Sequence, residues 1–144
     1  MAKNFLRRRS KLILDRLKVE DLAVTANRLE TWLNSDFGHY LLHQETQLLE
    51  RKYSHLPGYR LMHLGLGPNQ QTLDCFKQLH RFYIHANADS AAPQLSLASN
   101  YAQLPLPSEV IDVALVQHAL EYSVSPKAVL AEVSRVVAPG GHLL

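Results

Sequence analysis

The second half of the chain alternates short apolar segments with amphipathic ones, and this alternation constrains its fold more than any other feature. The most informative segment is residues 111–116 (IDVALV), a nearly continuous apolar run typical of a strand buried on both faces of a parallel sheet. After it, Ser125-Pro126 supplies an N-cap and a first-turn proline, which together begin a helix. Strands and helices in alternation predict a parallel sheet with right-handed crossover connections.

Four further strands are predicted from short apolar segments that lie next to turn or loop residues. They cover residues 59–64 (YRLMHL), 82–85 (FYIH), 94–98 (QLSLA) and a segment that begins at residue 142 (HLL). With the strand at 111–116, these segments predict a Rossmann-like α/β domain of three layers, α/β/α, around a mainly parallel sheet.

Helices are predicted between and after these strands. One spans residues 70–79, and another runs from Pro126 until Pro139-Gly140-Gly141 ends it. The apolar side chains of this last helix share one face, which should pack on the sheet. The charged residues expected to point away from that face are Lys127, Glu132 and Arg135.

Two more helical segments, residues 19–33 and 37–53, precede the first strand. Asp36 is the expected N-cap of the second of them, and Pro57-Gly58 forms a turn after it. The chain is therefore divided into an N-terminal helical extension packed on the domain (1–57) and an α/β region (58–144).

The composition argues against several classes of protein. Hydrophobic residues make up 47% and charged residues 19% of the chain, which is typical of a globular domain. The net charge of +2 does not indicate nucleic acid, although the basic cluster at residues 7–11 is suited to contact phosphate. Cys75 is the single cysteine, and no segment reaches the roughly 18 apolar residues of a membrane span, so we expect a cytoplasmic protein. His39 and His43 are one helical turn apart without a third ligand nearby, so no metal site is predicted.

Glycines follow the first predicted strand, at positions 65 and 67. Without a Cβ they let the backbone approach a ligand closely, but Asn69 and Gln70 stand where a dinucleotide-binding loop has its third glycine. Ligands of parallel α/β sheets bind at the carboxyl ends of the strands. The segments expected at that edge are residues 65–67, 86–89, 99–101 and 117–121.

Two long segments carry a family resemblance. Residues 104–121 (LPLPSEVIDVALVQHALE) and 126–141 (PKAVLAEVSRVVAPGG) resemble the LPF, FDVV, HxLEH and PxxxLxExxRVLxPGG motifs of class I methyltransferases of the type 11 family. With the glycines at 65 and 67, the resemblance covers roughly residues 58–144. It implies a methyltransferase that uses S-adenosylmethionine, with an unidentified methyl acceptor and a sheet whose last strands lie beyond this chain.

The resemblance also assigns cofactor-binding positions. Gly65 and Gly67 would lie against the methionine and ribose parts of S-adenosylmethionine, and an acid after the second strand would hold the ribose hydroxyls. Asn100 occupies the position of an acid that accepts a hydrogen bond from adenine, and its amide oxygen can still do so. The cofactor-binding residues implied are His63, Gly65, Gly67, Asn87, Asp89, Asn100, Tyr101, Gln117 and His118.

This sequence departs from the family at the cofactor contacts. His63 replaces an acid two residues before the first glycine, and Asn100 replaces another. These changes favour an alternative, a non-catalytic methyltransferase-like module that binds or scaffolds, with pairing through a sheet edge as one route to an oligomer. A nicotinamide-dependent oxidoreductase shares the strand and glycine loop, but the missing third glycine argues against it.

No side chain must be catalytic, because methyl transfer depends mainly on holding donor and acceptor in line. His118 is the one candidate for a general base, since its ordinary pKa is near neutrality. Glu45 falls on the apolar stripe of the second helix, where a carboxylate needs a partner. We expect this partner to be the glycine-loop amides or Arg60.

Overall fold

The computed structural model describes residues 22–65, 70–86 and 96–144. Two helices, α1 (Leu22–Leu33) and α2 (Asp36–Tyr53), precede the first strand. The α/β region then contains, in chain order, β1 (Arg60–Gly65), α3 (Gln70–Asp74), β2 (His80–His85), β3 (Ser96–Ala98), β4 (Ile111–Gln117), α4 (Pro126–Val136) and β5 (Val137–Leu143). No helix in these ranges is long and apolar enough to cross a membrane.

The strands form one sheet in the order β3-β2-β1-β4-β5, and every neighbouring pair is parallel. The central pair is β1 and β4, in which Gly65 lies beside Gln117 at the carboxyl end. Because the order reverses between β1 and β4, the crossovers leave a crevice at the carboxyl ends of these two strands. The predicted parallel α/β sheet is confirmed.

Alternate residues of the strands build two cores on opposite faces of the sheet. On one face, Met62 and Leu64 pack with Val129 and Val133 of α4, and α1 adds Leu29 and Leu33. The other face contains Leu61, Tyr83, Val113 and Leu115 with Leu73 and Phe76, against which α2 places Leu49 and Tyr53. Helices therefore cover both faces, as the three-layer prediction requires.

Several predicted boundaries are wrong. Ser35, not Asp36, is the N-cap of α2, since its hydroxyl accepts the Gly38 N–H at 3.2 Å and Asp36 already belongs to the first turn. α3 ends at Asp74 rather than at residue 79, because Phe76 and Gln78 turn inward and are buried. The part of the helix predicted at 19–33 that precedes Leu22 lies outside the described residues.

The segment that was expected to end the last helix belongs to β5 instead. α4 ends at Val136, and Val137 already pairs with Ile111 of β4. The next paired residue is His142, opposite Val113, so Pro139-Gly140-Gly141 lies in a bulge. Gly140 has a φ of 80°, which favours glycine and lets the chain leave the ladder and return to it.

The start of β1 is held by Asp112 of β4. Its Oδ2 accepts the backbone N–H groups of Tyr59 and Arg60, both at 2.8 Å. Gly58 precedes them with a φ of 124°, and a Cβ there would lie 2.3 Å from the Asp112 Cβ. A glycine is therefore required at this turn, and the acid of the IDV segment has a structural role that the sequence did not reveal.

Glu132 and Arg135 of α4 hold the loop that precedes β4. Glu132 accepts the Leu104 N–H at 2.8 Å and the Arg135 guanidinium at 2.7 Å. Arg135 in turn donates to the carbonyls of Leu104 and Leu106 and to the Ser108 hydroxyl. Both side chains lie outside the core, and their contact with this loop was not predicted from the sequence.

Candidate functional site

The crevice at the carboxyl ends of β1 and β4 brings together four of the predicted residues. Gly65 and Gln117 are paired across the two strands, and His118 follows directly. His63 lies two residues before Gly65 and therefore on the same face of the sheet. Gly67, Asn87 and Asp89 fall outside the described residues, so their places in the site stay predictions.

Gly65 has no room for a side chain. A Cβ at this position would lie 2.8 Å from His63 Nε2 and 3.1 Å from the Gln117 carbonyl oxygen. The backbone of Gly65 is extended rather than left-handed, so it is space and not φ that demands glycine here. The imidazole of His63 thus lies directly against the end of the glycine strand.

His63 is buried in a cluster of aromatic rings. Its side chain is 1% exposed, and its ring lies 4.9 Å from that of Tyr83, which in turn lies 5.8 Å from that of His85. Burial, with a smaller contribution from the neighbouring His85, lowers the pKa of His63 to about 3. Burial also lowers the pKa of His85, so both rings are neutral at physiological pH.

Polar atoms of this cluster have no hydrogen-bond partner among the described residues. They are both ring nitrogens of His63, the Tyr83 hydroxyl and His85 Nε2. Buried polar atoms are nearly always paired with protein, water or ligand. The cluster at the ends of β1 and β2 is therefore able to donate to, or accept from, a group that enters the crevice.

Tyr101 has a structural role in this crevice. It is 2% exposed, and its hydroxyl donates to the Gly65 carbonyl at 2.7 Å and lies 3.2 Å from the Ile84 carbonyl. Burial raises the pKa of Tyr101, so the hydroxyl stays protonated. It bridges the ends of β1 and β2 and forms the base of the crevice.

Asn100 uses its side chain locally. Its Oδ1 accepts the Ala102 N–H at 2.9 Å, which closes a turn directly after β3. The residue is exposed at the same edge as Gly65 and His85, as predicted. One lone pair of the amide oxygen is engaged in this turn, and the other remains for an external donor.

Glu45 reaches the site from α2, where it contacts Gln117 and His118 rather than Arg60; the glycine-loop amides, the other expected partner, lie outside the described residues. Its Oε2 accepts from Gln117 Nε2 at 2.6 Å and lies 3.1 Å from His118 Nε2. Arg60 lies at the opposite end of β1, where its guanidinium contacts the Val110 carbonyl at 3.4 Å. Because α2 runs back along β1, Glu45 is about 12 Å from the helix end nearest Arg60, which rules out the expected pair.

Glu45 is ionised in this arrangement. Partial burial alone would raise the pKa of its carboxyl, but the hydrogen bonds from His118 and Gln117 together outweigh burial and lower the pKa. The side chain is 29% exposed, so part of the carboxylate faces solvent. A negative charge therefore borders the crevice beside Gly65 and Gln117.

His118 lies between two carboxylates. Its Nε2 is 3.1 Å from Glu45 and its Nδ1 is 3.6 Å from Glu121. The hydrogen bond to Glu45 raises the pKa of His118, against the partial burial that lowers it. The backbone of His118 is left-handed, with φ 53°, which is uncommon for a residue other than glycine and is frequent at functional sites.

The charge on His118 bears on its predicted role. A general base must present a neutral ring nitrogen, whereas these two carboxylates favour the imidazolium. The contact with Glu45 thus favours the protonated form of His118, which donates a hydrogen bond and is not available as a base.

A cavity of about 440 Å³ lies beside the loop after β4. It is lined by Thr25, Arg28, Leu29 and Trp32 of α1 and by Tyr122. Tyr122 directly follows Glu121, the residue that faces His118, so the cavity borders the loop that carries these two residues. Its volume falls within the range of small-molecule sites.

The described residues contain no group of three or more His, Cys, Asp or Glu side chains placed to hold a metal ion. The His39 and His43 pair noted in the sequence is on the exposed surface of α2, where His43 Nε2 lies 2.9 Å from Gln47 Nε2.

The sheet order and the reversal between β1 and β4 together define a Rossmann-like α/β domain. A family model described as "Methyltransferase domain", of type 11, matches residues 62–144, which is more than half of the chain. The chain belongs to this methyltransferase domain family. No protein of curated function matches the sequence.

Solved structures with the same fold include methyltransferases. A chain of the complex between the Trm112 methyltransferase activator of Haloferax volcanii and a methyltransferase has a TM-score of 0.63 at 18% identity, with 83% of this chain and 58% of that one covered. An S-adenosylmethionine-dependent methyltransferase of Thermotoga maritima has a TM-score of 0.56 at 22% identity, with 85% and 57% covered.

A third structure with this fold is described as a cyclase and not as a methyltransferase. The [4+2]-cyclase SpnF has a TM-score of 0.56 at 22% identity, with 69% of this chain and 43% of that one covered. This chain thus spans between 43% and 58% of the length of these three structures. At such identities the likeness concerns the fold alone.

Proposed function

We propose that this chain is an S-adenosylmethionine-dependent methyltransferase domain whose donor site is the crevice between β1 and β4. The observation that supports it most is the pairing of Gly65 with Gln117, which puts the glycine strand beside a polar strand end and the Glu45 carboxylate. The methyl acceptor is not defined by these residues. A cytoplasmic location is part of the proposal, based on the single cysteine.

The residues of the crevice fit such a donor in two respects. Because Gly65 lacks a Cβ, the neutral His63 ring and the Gln117 carbonyl can pack closely against the end of β1, which borders the crevice. The ionised Glu45 complements a cationic ligand, and the neutral His63 and His85 offer unpaired ring nitrogens to its polar groups. The departures from the family at His63 and Asn100 thus change the chemistry of the contacts and do not close the site.

The protein would act by binding the methyl donor and the acceptor and by orienting them relative to each other. Bound S-adenosylmethionine supplies a methyl group on a sulfonium centre, which an acceptor can take by in-line displacement. Gly65 and Tyr101 fix the base of the crevice, and Gln117 fixes the Glu45 carboxylate at its border. His118 would carry a proton on the Nε2 that faces Glu45. Its action as a general base stays a prediction, because the ring would first have to lose this proton.

The acceptor is proposed to enter from the side of α1. The cavity between α1 and Tyr122 adjoins the loop that carries His118 and Glu121, and Trp32 and Tyr122 supply an aromatic surface. Trp32 is the single tryptophan of the chain, so its fluorescence reports on this cavity alone. Quenching by candidate acceptors only after the donor product is added would support the assignment.

Calorimetric titration with S-adenosylhomocysteine and with NAD tests the proposal. Binding of S-adenosylhomocysteine in the micromolar range, without binding of NAD, is the expected result. Binding of NAD alone would support the oxidoreductase. Binding of neither compound by folded protein would support the non-catalytic module, an alternative that the presence of a cyclase with this fold keeps open.

A further inference from the structure

We propose that Glu45 recognises the cationic part of the donor, and that α2 is therefore part of the binding site although it lies outside the matched family region. The inference rests on the proposed function. The shared chemistry is a positive charge, which S-adenosylmethionine carries on its sulfonium sulfur and on its α-ammonium group. The experiment below distinguishes these two sources.

The position of Glu45 is fixed by contacts on both sides. Gln117 and His118 hold its carboxylate at 2.6 Å and 3.1 Å, directly beside the Gly65–Gln117 pair. The next residue on the helix, Thr46, is buried and shares a hydrogen bond of 2.8 Å with Thr72 of α3. α2 is thus attached to α3, which fixes the position of Glu45 relative to the sheet.

The carboxylate retains capacity for a ligand. An ionised carboxylate offers about four lone-pair sites, and Gln117 and His118 use two of them. The side chain is 29% exposed, so the remaining sites are accessible. His63 is a second polar group at this strand end; it is buried and neutral, and its Nε2 lies against Gly65. Gln117 acts on its pKa as a hydrogen-bond partner, but neither ring nitrogen has a partner at full hydrogen-bond geometry among the described residues.

The charges around the site favour a cation. Glu45 of α2 and Glu121 of the loop after β4 flank His118. From α1, Glu30 acts on His85, and Arg28 lines the cavity beside Tyr122. His63 and His85, from β1 and β2, are neutral and do not compensate the carboxylates. A cationic ligand beside Glu45 replaces the charge of His118, so ligand and proton compete for the same carboxylate.

This competition predicts a pH dependence. As the pH rises through the raised pKa of His118, the imidazolium loses its proton and Glu45 becomes free for the ligand. Affinity for S-adenosylmethionine should therefore increase with pH in that range. Below the pKa of His118, binding of S-adenosylmethionine should release a proton. Calorimetry in two buffers with different ionisation enthalpies measures this release.

The decisive experiment compares three ligands on two variants of α2. Glu45→Gln keeps the shape of the side chain and removes its charge, and Glu50→Gln, an exposed glutamate on the same helix, is the matched control. The ligands are S-adenosylmethionine, S-adenosylhomocysteine, which has only the ammonium charge, and methylthioadenosine, which has neither. Glu45→Gln should weaken S-adenosylmethionine binding at least about tenfold and leave methylthioadenosine unchanged, because a hydrogen bond to a charged group is lost.

The pattern of losses identifies the charge. Equal weakening of S-adenosylmethionine and S-adenosylhomocysteine indicates the ammonium, whereas weakening of S-adenosylmethionine alone indicates the sulfonium. Unchanged binding in Glu45→Gln, or equal weakening of all three ligands, overturns the inference and leaves the proposed function in place. Failure of the folded wild-type protein to bind any of the three overturns both.

The pKa of His118 also checks that the Glu45→Gln variant is folded. In NMR titrations the pKa of His118 should be lower in Glu45→Gln than in wild type, since its charge partner is gone. If Glu45→Gln does not fold, His118→Gln provides the second test. It removes the competing imidazolium, so the pH dependence of S-adenosylmethionine binding should disappear, whatever the affinity of the variant; a pH dependence that persists would contradict the inference.

Discussion

At the scale of single residues, the crevice differs from its surroundings in how its polar atoms are used. Elsewhere, the buried side chains of Thr46 and Thr72 bond to each other. His63 makes no such bond with the described residues, although it is as buried as the leucines beside it. A buried polar side chain that lowers stability and makes no hydrogen bond within the protein is a candidate for binding a ligand.

Replacing His63 with leucine should make the stability less sensitive to acid. The depressed pKa means that, below pH 6.5, the unfolded chain binds a proton that the folded protein does not bind until about pH 3. Stability is therefore lost as the pH falls through this window, and the buried ring accounts for about 2 to 3 kcal/mol between pH 6.5 and about pH 4.5. Urea denaturation of wild type and His63→Leu at both pH values measures the difference.

In His63→Leu this part of the pH dependence should be absent, while the lowered pKa of His85 continues to act in both proteins. Identical pH dependence of the two proteins would show that the ring is not buried and neutral as described. The variant should also bind the donor more weakly if His63 contacts it.

At the scale of helices and strands, the most recognisable motif residues have a structural task. Glu132 and Arg135, from the segment that resembles the family most closely, contact the backbone of residues 104–108, the other recognisable segment. The two motifs thus occur together because one holds the other. This contact involves only the start of the segment 104–121, whereas Gln117 and His118 near its end reach the crevice.

Removing this contact should loosen the loop before β4. Glu132→Ala leaves the Leu104 N–H without its acceptor and frees Arg135, so the melting temperature should fall by several degrees. Glu132→Gln can still accept from Leu104 but loses the ionic contact, so its melting temperature should lie between those of wild type and Glu132→Ala. Calorimetric melting of the three proteins tests the order, and an unchanged melting temperature in Glu132→Ala would contradict it.

At the scale of the whole molecule, the sheet could be predicted from the sequence because its strands are short apolar runs with few other ways to be buried. The adjacency of Gly65 and Gln117 followed from the rule that parallel strands end at one edge. Glu45 could not be placed, because its contact with Gln117 joins residues 72 positions apart and depends on how α2 is rotated on the sheet. The bulge at Pro139-Gly140-Gly141 was missed because proline and glycine are also the usual residues of a helix end.

The division of the chain at residue 57 stays a prediction, and the packing indicates that the two parts depend on each other. Leu29 and Leu33 of α1 and Leu49 and Tyr53 of α2 belong to the two cores of the sheet. Residues 58–144 alone should therefore lack a cooperative thermal transition and bind a hydrophobic dye, since apolar surface on both faces is exposed.

A fragment of residues 34–144 is the matched comparison. It keeps α2 and the core that contains Leu49 and Tyr53, so it should retain more structure than residues 58–144. Circular dichroism and dye binding rank the three proteins. A sharp transition in residues 58–144 would show that the α/β region folds independently.

The hydroxyl of Tyr101 has a consequence for how the crevice responds to an incoming molecule. By bonding the carbonyl of Gly65 and lying near that of Ile84, it fastens neighbouring strand ends before anything arrives. Association then requires little reorganisation of the underlying backbone, and less conformational entropy is lost than in a cleft that must first be assembled. The crevice can therefore bind a small molecule tightly, because its geometry is already set when the chain folds.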